Sequence, residues 1–245
     1  MRNGFYRFKK HFTLQIVLPF TLLVLPLAAQ SLSGELGFVS RYVWRGFDVT
    51  PNNAPGLQPS LTWTLGSSGF SVNLWSNIPL KDRKLYNDEL DLTLSYSRAL
   101  SDAVSAEVGF IQYGWYFAED FSFEDFTSQE FYLSLGLSQM PLTPGITFYY
   151  NVADSEKGLY IAVQVSHSLP VTAKKSLALS AALGYNNGQW LPEGSDTGFS
   201  DLQISASMPF KAGPLAVTAS LNYMHPMLDI VNTDDEVWFG ITLSK

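Results

Sequence analysis

The sequence contains no cysteine. Disulfide bonds, thiolate nucleophiles and thiolate metal ligands are therefore excluded. Phosphate-binding glycine loops, zinc-ligand spacings and nucleotide-binding fingerprints are also missing from the 245 residues, so we expect no cofactor and no metal site. A chain without these elements must be stabilised by its own backbone hydrogen bonds and side-chain packing.

Basic residues are scarce, with 15 Lys and Arg against 22 Asp and Glu. Four of the basic residues, Arg2, Arg7, Lys9 and Lys10, lie in the first ten positions, where there is no acidic residue. Without that start the chain keeps 11 basic and 22 acidic residues, a net charge of −11. Nucleic-acid binding requires clustered Lys and Arg, so it is not expected here.

The sequence has one long apolar run, from Leu14 to Ala29, directly after the basic start. The run contains Pro19 and Pro26 and is shorter than the ~20 residues that a membrane-spanning helix needs. A basic start, an apolar run and small residues at its end are typical of a secretory signal peptide. We therefore predict a cleaved signal at residues 1–29 and a single domain at residues 30–245.

The remainder shows no convincing amphipathic helix, and twelve segments instead alternate with the period of a β-strand. In ELGFVSRYVWRG, residues 35–46, Leu36 and Phe38 point one way while Glu35 and Arg41 point the other. The remaining segments are 57–65, 69–78, 89–97, one beginning at Val104 that loses phase near Gln112, and those led by Phe131, Ile146, Leu159, Leu177, Leu202, Leu215 and Val237.

The connections between these segments fall into two alternating classes. One class is mostly longer and acidic, and the other is mostly short and rich in Gly, Pro or Ser; the longer connections are 48–56, 79–88, 118–128, 153–158, 187–199 and 225–235. An even number of strands with long loops at one rim and short turns at the other is typical of outer-membrane barrels. The sequence therefore predicts an all-β protein, a single transmembrane antiparallel up-and-down β-barrel of about twelve strands with periplasmic termini.

Aromatic residues distinguish this prediction from a soluble β-sandwich, whose core would also lack charges. They cluster near the ends of the apolar faces, as in the girdles where lipid meets water. The predicted girdle consists of Tyr42, Trp44, Trp63, Phe70, Tyr96, Phe131, Tyr150, Tyr185 and Tyr223.

The opposite face is small, hydroxyl-rich and charged, which predicts a lumen. Its candidate selectivity residues are Arg41, Arg45, Glu89, Asp91, Glu107, Glu130, Asp201 and Glu236. Rings of carboxylates favour cations in channels. The alternative is that these charges neutralise one another inside a closed barrel. Closure of the barrel is expected to bring Arg45 opposite Glu236.

Four blocks carry a resemblance to a known family: VSRYVWRG, APGLQPSLTW, GFSVNLWSN and DELDLTLSYS, all within residues 36–97. They resemble the TorF-like porins, a proteobacterial outer-membrane family of largely unknown function. The resemblance implies a signal peptide, an outer-membrane β-barrel and a transport role, and it supplies no site residues. The chain departs from many outer-membrane barrels at its last residue, Lys245, where they have an aromatic residue, and this departure bears on insertion efficiency.

Two further features are candidate functional sites. His225 lies near Asp229, Asp234 and Asp235, and a His–Asp pair could activate water or a serine, so an outer-membrane hydrolase is the less favoured alternative. The loop 118–126, AEDFSFEDF, alternates acids with phenylalanines and could bind a partner, a cation or lipopolysaccharide.

The favoured interpretation is a non-enzymatic porin in the outer membrane of a Gram-negative bacterium, passing small polar or cationic solutes. The alternative is a closed structural barrel whose acidic outer loops bind partners or cations. Expected partners are outer-membrane lipid, lipopolysaccharide, the barrel-insertion machinery and periplasmic chaperones.

Overall fold

The computed structural model describes residues 31–50, 54–81, 88–117, 122–123, 128–153, 157–172 and 175–245. The predicted signal peptide, residues 1–29, and most of the loop 118–126 lie outside these ranges, so both stay predictions. Within the described ranges, no helix is both long and apolar enough to cross a membrane.

Twelve long strands form one antiparallel sheet in which neighbours in sequence are neighbours in space. They are β1 (Ser31–Val39), β2 (Gly56–Thr64), β3 (Phe70–Pro79), β4 (Asp88–Ala99), β5 (Val104–Phe117), β6 (Ser128–Leu137), β7 (Gly145–Asn151), β8 (Gly158–Thr172), β9 (Lys175–Asn187), β10 (Gly198–Ala212), β11 (Leu215–Pro226) and β12 (Glu236–Ser244).

The sheet closes on itself because β1 pairs with both β2 and β12. The closing ladder runs from Glu35 opposite Ser244 to Val39 opposite Gly240. Longer connections alternate with short ones around the ring, as the sequence predicts. The predicted twelve-stranded antiparallel barrel is therefore confirmed.

The barrel has an apolar outer surface and a polar interior. On the outward positions, Leu61 and Leu74 are 45% and 43% exposed, whereas the inward Glu130 is fully buried. A soluble protein buries its leucines and exposes its carboxylates. The inverted arrangement is that of a barrel surrounded by lipid, and it follows directly from strand alternation.

The loss of phase near Gln112 does not interrupt the pairing of the strand. β5 pairs in continuous register with β4 on one side and with β6 on the other. The alternation fades because Tyr113 occupies an inward position and is buried in the interior. Register shifts occur instead between Gly184 and Tyr185 and between Pro170 and Thr172.

The first predicted strand, residues 35–46, is also wrong in its second half. β1 ends at Val39, and the chain then forms a short antiparallel pair, Val43–Trp44 with Phe47–Asp48. We call residues 43–48 the hairpin. Its alternating sequence looks like a continuation of β1, but it turns away from the barrel wall.

Candidate functional site in the barrel interior

The hairpin lies inside the barrel, close to the ends of the strands that carry the longer connections. The hairpin and the preceding Tyr42 approach side chains from six different strands around the circumference. The approached residues are Trp75 on β3, Tyr113 on β5, Glu130 on β6, Tyr149 on β7, Tyr160 on β8 and Asp201 on β10. A segment that reaches so many walls must occupy the lumen.

Positive backbone φ angles at the hairpin tip explain how the chain reverses. Arg45 has φ 49° and Gly46 has φ 87°, and a two-residue type I′ turn requires φ above zero at both central positions. Gly46 also approaches its surroundings closely, because a Cβ there would lie 3.0 Å from Asp201 Cβ on the wall and 2.8 Å from Val231 Cγ1 in the connection after β11. Arg45 is a non-glycine residue in a strained conformation, which indicates that its side chain has a specific role.

Arg45 forms a buried, two-pronged ion pair with Glu130. Nη1 and Nη2 donate hydrogen bonds of 2.7 and 2.8 Å to the two carboxylate oxygens. Glu130 also accepts a 2.7 Å bond from Gln189 and a 3.1 Å bond from Tyr113. The Glu130 carboxylate is fully buried, so these donors replace the water that it lost.

Aromatic rings surround the other surfaces of the Arg45 guanidinium. Its central carbon lies 3.8 Å from the ring centroid of Tyr149, 4.4 Å from Trp44 and 5.0 Å from Tyr160. Cation–π contacts of this kind are strongest where water is excluded. Hydrogen bonds to Glu130 therefore fix the guanidinium in its plane, and the aromatic rings pack against it.

A second ion pair joins Arg41, just after β1, to Glu236 at the start of β12. The expected proximity of Arg45 and Glu236 is wrong, because Arg41 occupies that position. The chain leaves the wall at Ser40, so the hairpin carries Arg45 across the lumen to β6. Both predicted arginines nevertheless contact carboxylates from the predicted lumen set.

Asp201 on β10 is held by neutral donors. Tyr160 donates to its carboxylate at 3.1 Å, and the Ser200 hydroxyl donates at 2.6 Å. Gly184, opposite on β9, leaves the necessary room, because a Cβ there would collide with both the Asp201 carboxylate and the Tyr160 hydroxyl. The absence of a side chain at Gly184 thus allows the Asp201 carboxylate to pack against the wall.

Glu89 and Asp91 occupy consecutive inward positions on β4 and are only 6% and 8% exposed. Glu89 is hydrogen bonded to Tyr42. Glu89 also borders a cavity of about 300 Å³ whose other lining residues are Tyr42, Trp44, Phe47, Val49, Tyr113 and Trp190. Five of the seven lining residues are aromatic, and four of the seven belong to the hairpin or flank it.

The lumen toward the short turns differs in character. Its acid, Glu107, is partly exposed and accepts a 2.6 Å bond from Tyr132. Nearby inward side chains are mostly hydroxyls and amides, as where Asn73 donates to Ser60 at 2.8 Å. This part of the interior is therefore hydrophilic and weakly charged.

All eight predicted lumen residues lie at the barrel interior, but their role in selectivity stays a prediction. The predicted girdle divides differently. Trp63, Phe70, Tyr96, Phe131, Tyr150, Tyr185 and Tyr223 occupy outward strand positions. Tyr42 and Trp44 contact interior aromatic rings, so the girdle prediction is wrong for these two.

Several residues of this site were not singled out from the sequence: Trp75, Tyr113, Tyr149, Tyr160, Gln189 and Trp190. The sequence does mark Tyr149 and Tyr160, because they occupy inward positions among small polar residues, where a large ring indicates a packing partner in the lumen. Gln189 and Trp190 lie in a connection between strands, and no periodic pattern marks them.

His225 lies outside this interior site. Its Nδ1 is 2.7 Å from Asp235 Oδ1, and both side chains are about half exposed at the outer rim. Tyr223 also donates to Asp235, at 2.9 Å. In the described ranges, no group of three or more His, Asp or Glu side chains is arranged to hold a metal ion.

Comparison with known proteins gives a family and a fold. A family model described as a bacterial protein of unknown function (Gcw_chp) matches residues 26–234. No curated protein is significantly similar in sequence.

Solved structures of the same fold include two porins. The NanC porin aligns with a TM-score of 0.56 at 12% identity, covering 87% of this chain and 98% of its own. The KdgM porin aligns with a TM-score of 0.55 at 9% identity, covering 86% and 97%. LpxR from Salmonella typhimurium gives a TM-score of 0.54 at 9% identity, covering 86% and 99%. These similarities establish a shared barrel fold.

Proposed function

Because the chain belongs to the Gcw_chp family of bacterial proteins of unknown function, we propose a function from its own barrel: an outer-membrane channel for small polar or cationic solutes. The observation that carries this proposal is the charge balance of the interior. Five carboxylates lie in the half of the lumen that contains the hairpin, namely Glu89, Asp91, Glu130, Asp201 and Glu236.

Two arginines oppose these five acids. Arg45 pairs with Glu130 and Arg41 pairs with Glu236, which leaves three carboxylates without a guanidinium partner in the described interior. A surplus of fixed negative charge in a narrow aqueous path raises the local concentration of cations and repels anions. Cation preference follows if the lumen conducts.

The porin neighbours support a channel at the level of fold. One KdgM structure was solved in complex with disordered oligogalacturonate, which is a polyanion. The acidic interior of the present chain disfavours a polyanion, so we propose a different class of solute. The resemblance to TorF-like porins agrees with this proposal and stays a prediction.

The proposed environment follows from the surface of the barrel. A belt of exposed leucine, valine and phenylalanine side chains around twelve strands requires lipid contact. We therefore propose the outer membrane of a Gram-negative bacterium, with lipopolysaccharide near the longer connections and the barrel-insertion machinery and periplasmic chaperones as assembly partners.

The test is the reversal potential of the purified barrel in a planar bilayer under a salt gradient. The wild type is expected to favour cations, and Glu89→Gln combined with Asp91→Asn should move the reversal potential toward zero. Glu193→Gln, at an exposed position in the connection after β9, removes an acid outside the lumen and should leave it unchanged. An unchanged potential in the folded double variant would contradict the proposal.

A closed structural barrel is the second candidate, and the docked hairpin favours it. The hairpin fills part of the lumen and is fixed by buried contacts, so it could prevent conduction altogether. Replacing residues 42–49 by a glycine–serine linker tests whether the hairpin closes the barrel. If the wild type is silent and the linker variant conducts, the hairpin closes the lumen. If both are silent, the barrel is closed by other means. A hydrolytic role for His225 has less support, because the side chains of His225 and Asp235 are both about half exposed at the rim, whereas small-molecule sites usually lie in a cleft.

A further inference from the structure

Three of the rings that line the 300 Å³ cavity meet almost at right angles. Trp44 and Trp190 have ring centroids 5.8 Å apart at 88°, and Tyr113 and Trp190 are 5.9 Å apart at 85°. Trp44 and Tyr113 are 6.0 Å apart at 73°. Rings at these angles form separate walls, so a small group in the cavity would contact several aromatic surfaces.

Two more aromatic residues complete the lining. Phe47 stacks beside Trp44 with centroids 6.2 Å apart, and Tyr42 lines the side where it bonds to Glu89. We call Tyr42, Trp44, Phe47, Tyr113 and Trp190 the aromatic cage. Its volume lies at the lower end of the range for small-ligand sites.

The charge beside the cage is negative. The Glu89 carboxylate lines the cavity, and Asp91 follows at the next inward position of β4. Asp91 Oδ1 is buried and accepts no hydrogen bond from any side chain or backbone group in the described ranges. Arg45, whose guanidinium carbon lies 4.4 Å from the Trp44 ring centroid, is neutralised by its paired contact with Glu130.

From this geometry we propose that the aromatic cage binds an organic ammonium ion, with Glu89 as its counter-ion. Aromatic faces attract cations, and cages of such rings recognise quaternary ammonium groups because these ions are weakly hydrated. A hard metal ion is a poor match, because Ca²⁺ and Mg²⁺ require six or more oxygen ligands and the cage offers mostly carbon. A neutral solute would leave the charge of Glu89 uncompensated.

The inference rests on the proposed function, since it names the class of solute that the acidic lumen would admit. Tyr42, Trp44 and Phe47 belong to the hairpin or directly precede it, while Tyr113 and Glu89 belong to the wall. The cage therefore exists only while the hairpin is docked. Binding of the cation and docking of the hairpin should stabilise each other.

The test measures binding, not conductance. Choline and its neutral isostere 3,3-dimethyl-1-butanol are titrated into the folded protein in a non-ionic detergent, with calorimetry and tryptophan fluorescence as readouts. We expect choline to bind at least tenfold more tightly, which corresponds to about 1.4 kcal/mol. Glu89→Gln and Trp190→Leu should each weaken choline binding at least tenfold, while Trp190→Phe keeps a ring and should retain most of it.

Two matched controls identify the site. Trp63→Leu removes an indole from the outer surface of β2, and Glu107→Gln removes a carboxylate from the opposite half of the lumen. Both should leave choline binding unchanged. Heat-modifiable migration in gels shows that each variant is folded.

The outcomes separate this inference from the proposed channel. Equal affinity for choline and its isostere, or choline binding that survives both Glu89→Gln and Trp190→Leu, overturns the cage. Binding by a barrel that never conducts supports the cage and contradicts the channel. Cation-selective conductance without choline binding supports the channel and overturns the cage.

Discussion

The ion pair between Arg45 and Glu130 should hold the hairpin in the lumen. Arg45→Ala leaves the fully buried Glu130 carboxylate without its cation while the hairpin stays docked. Removing one partner of a buried ion pair costs about 3 to 5 kcal/mol. The undocked state avoids this cost because lumen water reaches Glu130, so the ratio of docked to undocked hairpin should fall roughly 150- to 4000-fold.

Two measurements report this ratio. Amide hydrogen exchange at residues 43–48 should speed up in Arg45→Ala, because an undocked hairpin exposes its backbone to water. Single-channel conductance should rise, because the hairpin no longer occupies the lumen. In both measurements Arg45→Lys should fall between the wild type and Arg45→Ala, because lysine keeps the charge but lacks the planar guanidinium that binds both oxygens of Glu130.

The controls separate loss of this pair from loss of any arginine. Arg98→Ala removes an exposed arginine at the short-turn end of β4 and should change neither exchange nor conductance. Adding Glu130→Gln to Arg45→Ala removes the unpaired charge and should restore part of the docking. Wild-type exchange and conductance in folded Arg45→Ala would refute the reasoning.

Three further changes test other contacts. Gly46→Ala places a methyl group at positive φ against the wall, so we expect docking to weaken by about 1 to 3 kcal/mol, measured by exchange of the hairpin amides. Gly184→Ala collides with two polar side chains and should lower the temperature at which the heat-modifiable form is lost, whereas Gly34→Ala meets nothing within 4 Å and should not. The hydrogen bond from His225 lowers the pKa of Asp235, so the ionised carboxylate stabilises the loop 227–235 above the unfolded pKa of ~3.9. This stability is lost as the pH falls below that value, and amide exchange in the loop should speed up at low pH. Asp235→Asn should remove this pH dependence.

The strands were predictable because each wall residue faces either lipid or lumen, and this alternation is local. In β4, Leu90, Leu92 and Leu94 alternate with Glu89 and Asp91, and the structure forms a strand there. The even number of predicted strands indicated a closed antiparallel barrel. These features need no knowledge of distant contacts.

The hairpin was not predictable in the same way, because its tertiary contacts override a local pattern. Tyr42, Val43 and Trp44 continue the alternation of β1, and nothing nearby shows that the wall ends at Val39. The one local signal was Arg45–Gly46 between aromatic residues, which resembles the dipeptide of a two-residue hairpin turn. Its partner Glu130 lies 85 residues away, and no sequence pattern links the two.

The seam between β1 and β12 also has a kinetic consequence. Its ladder contains five residue pairs, and the adjoining bonds between Ser40 and Phe239 join residues 199 positions apart. Contacts between such distant residues form slowly, because the chain must first be ordered over its whole length. Arg41 lies at the end of this seam and leads directly into the hairpin. Assembly therefore completes the enclosed lumen and the segment that occupies it in one late step.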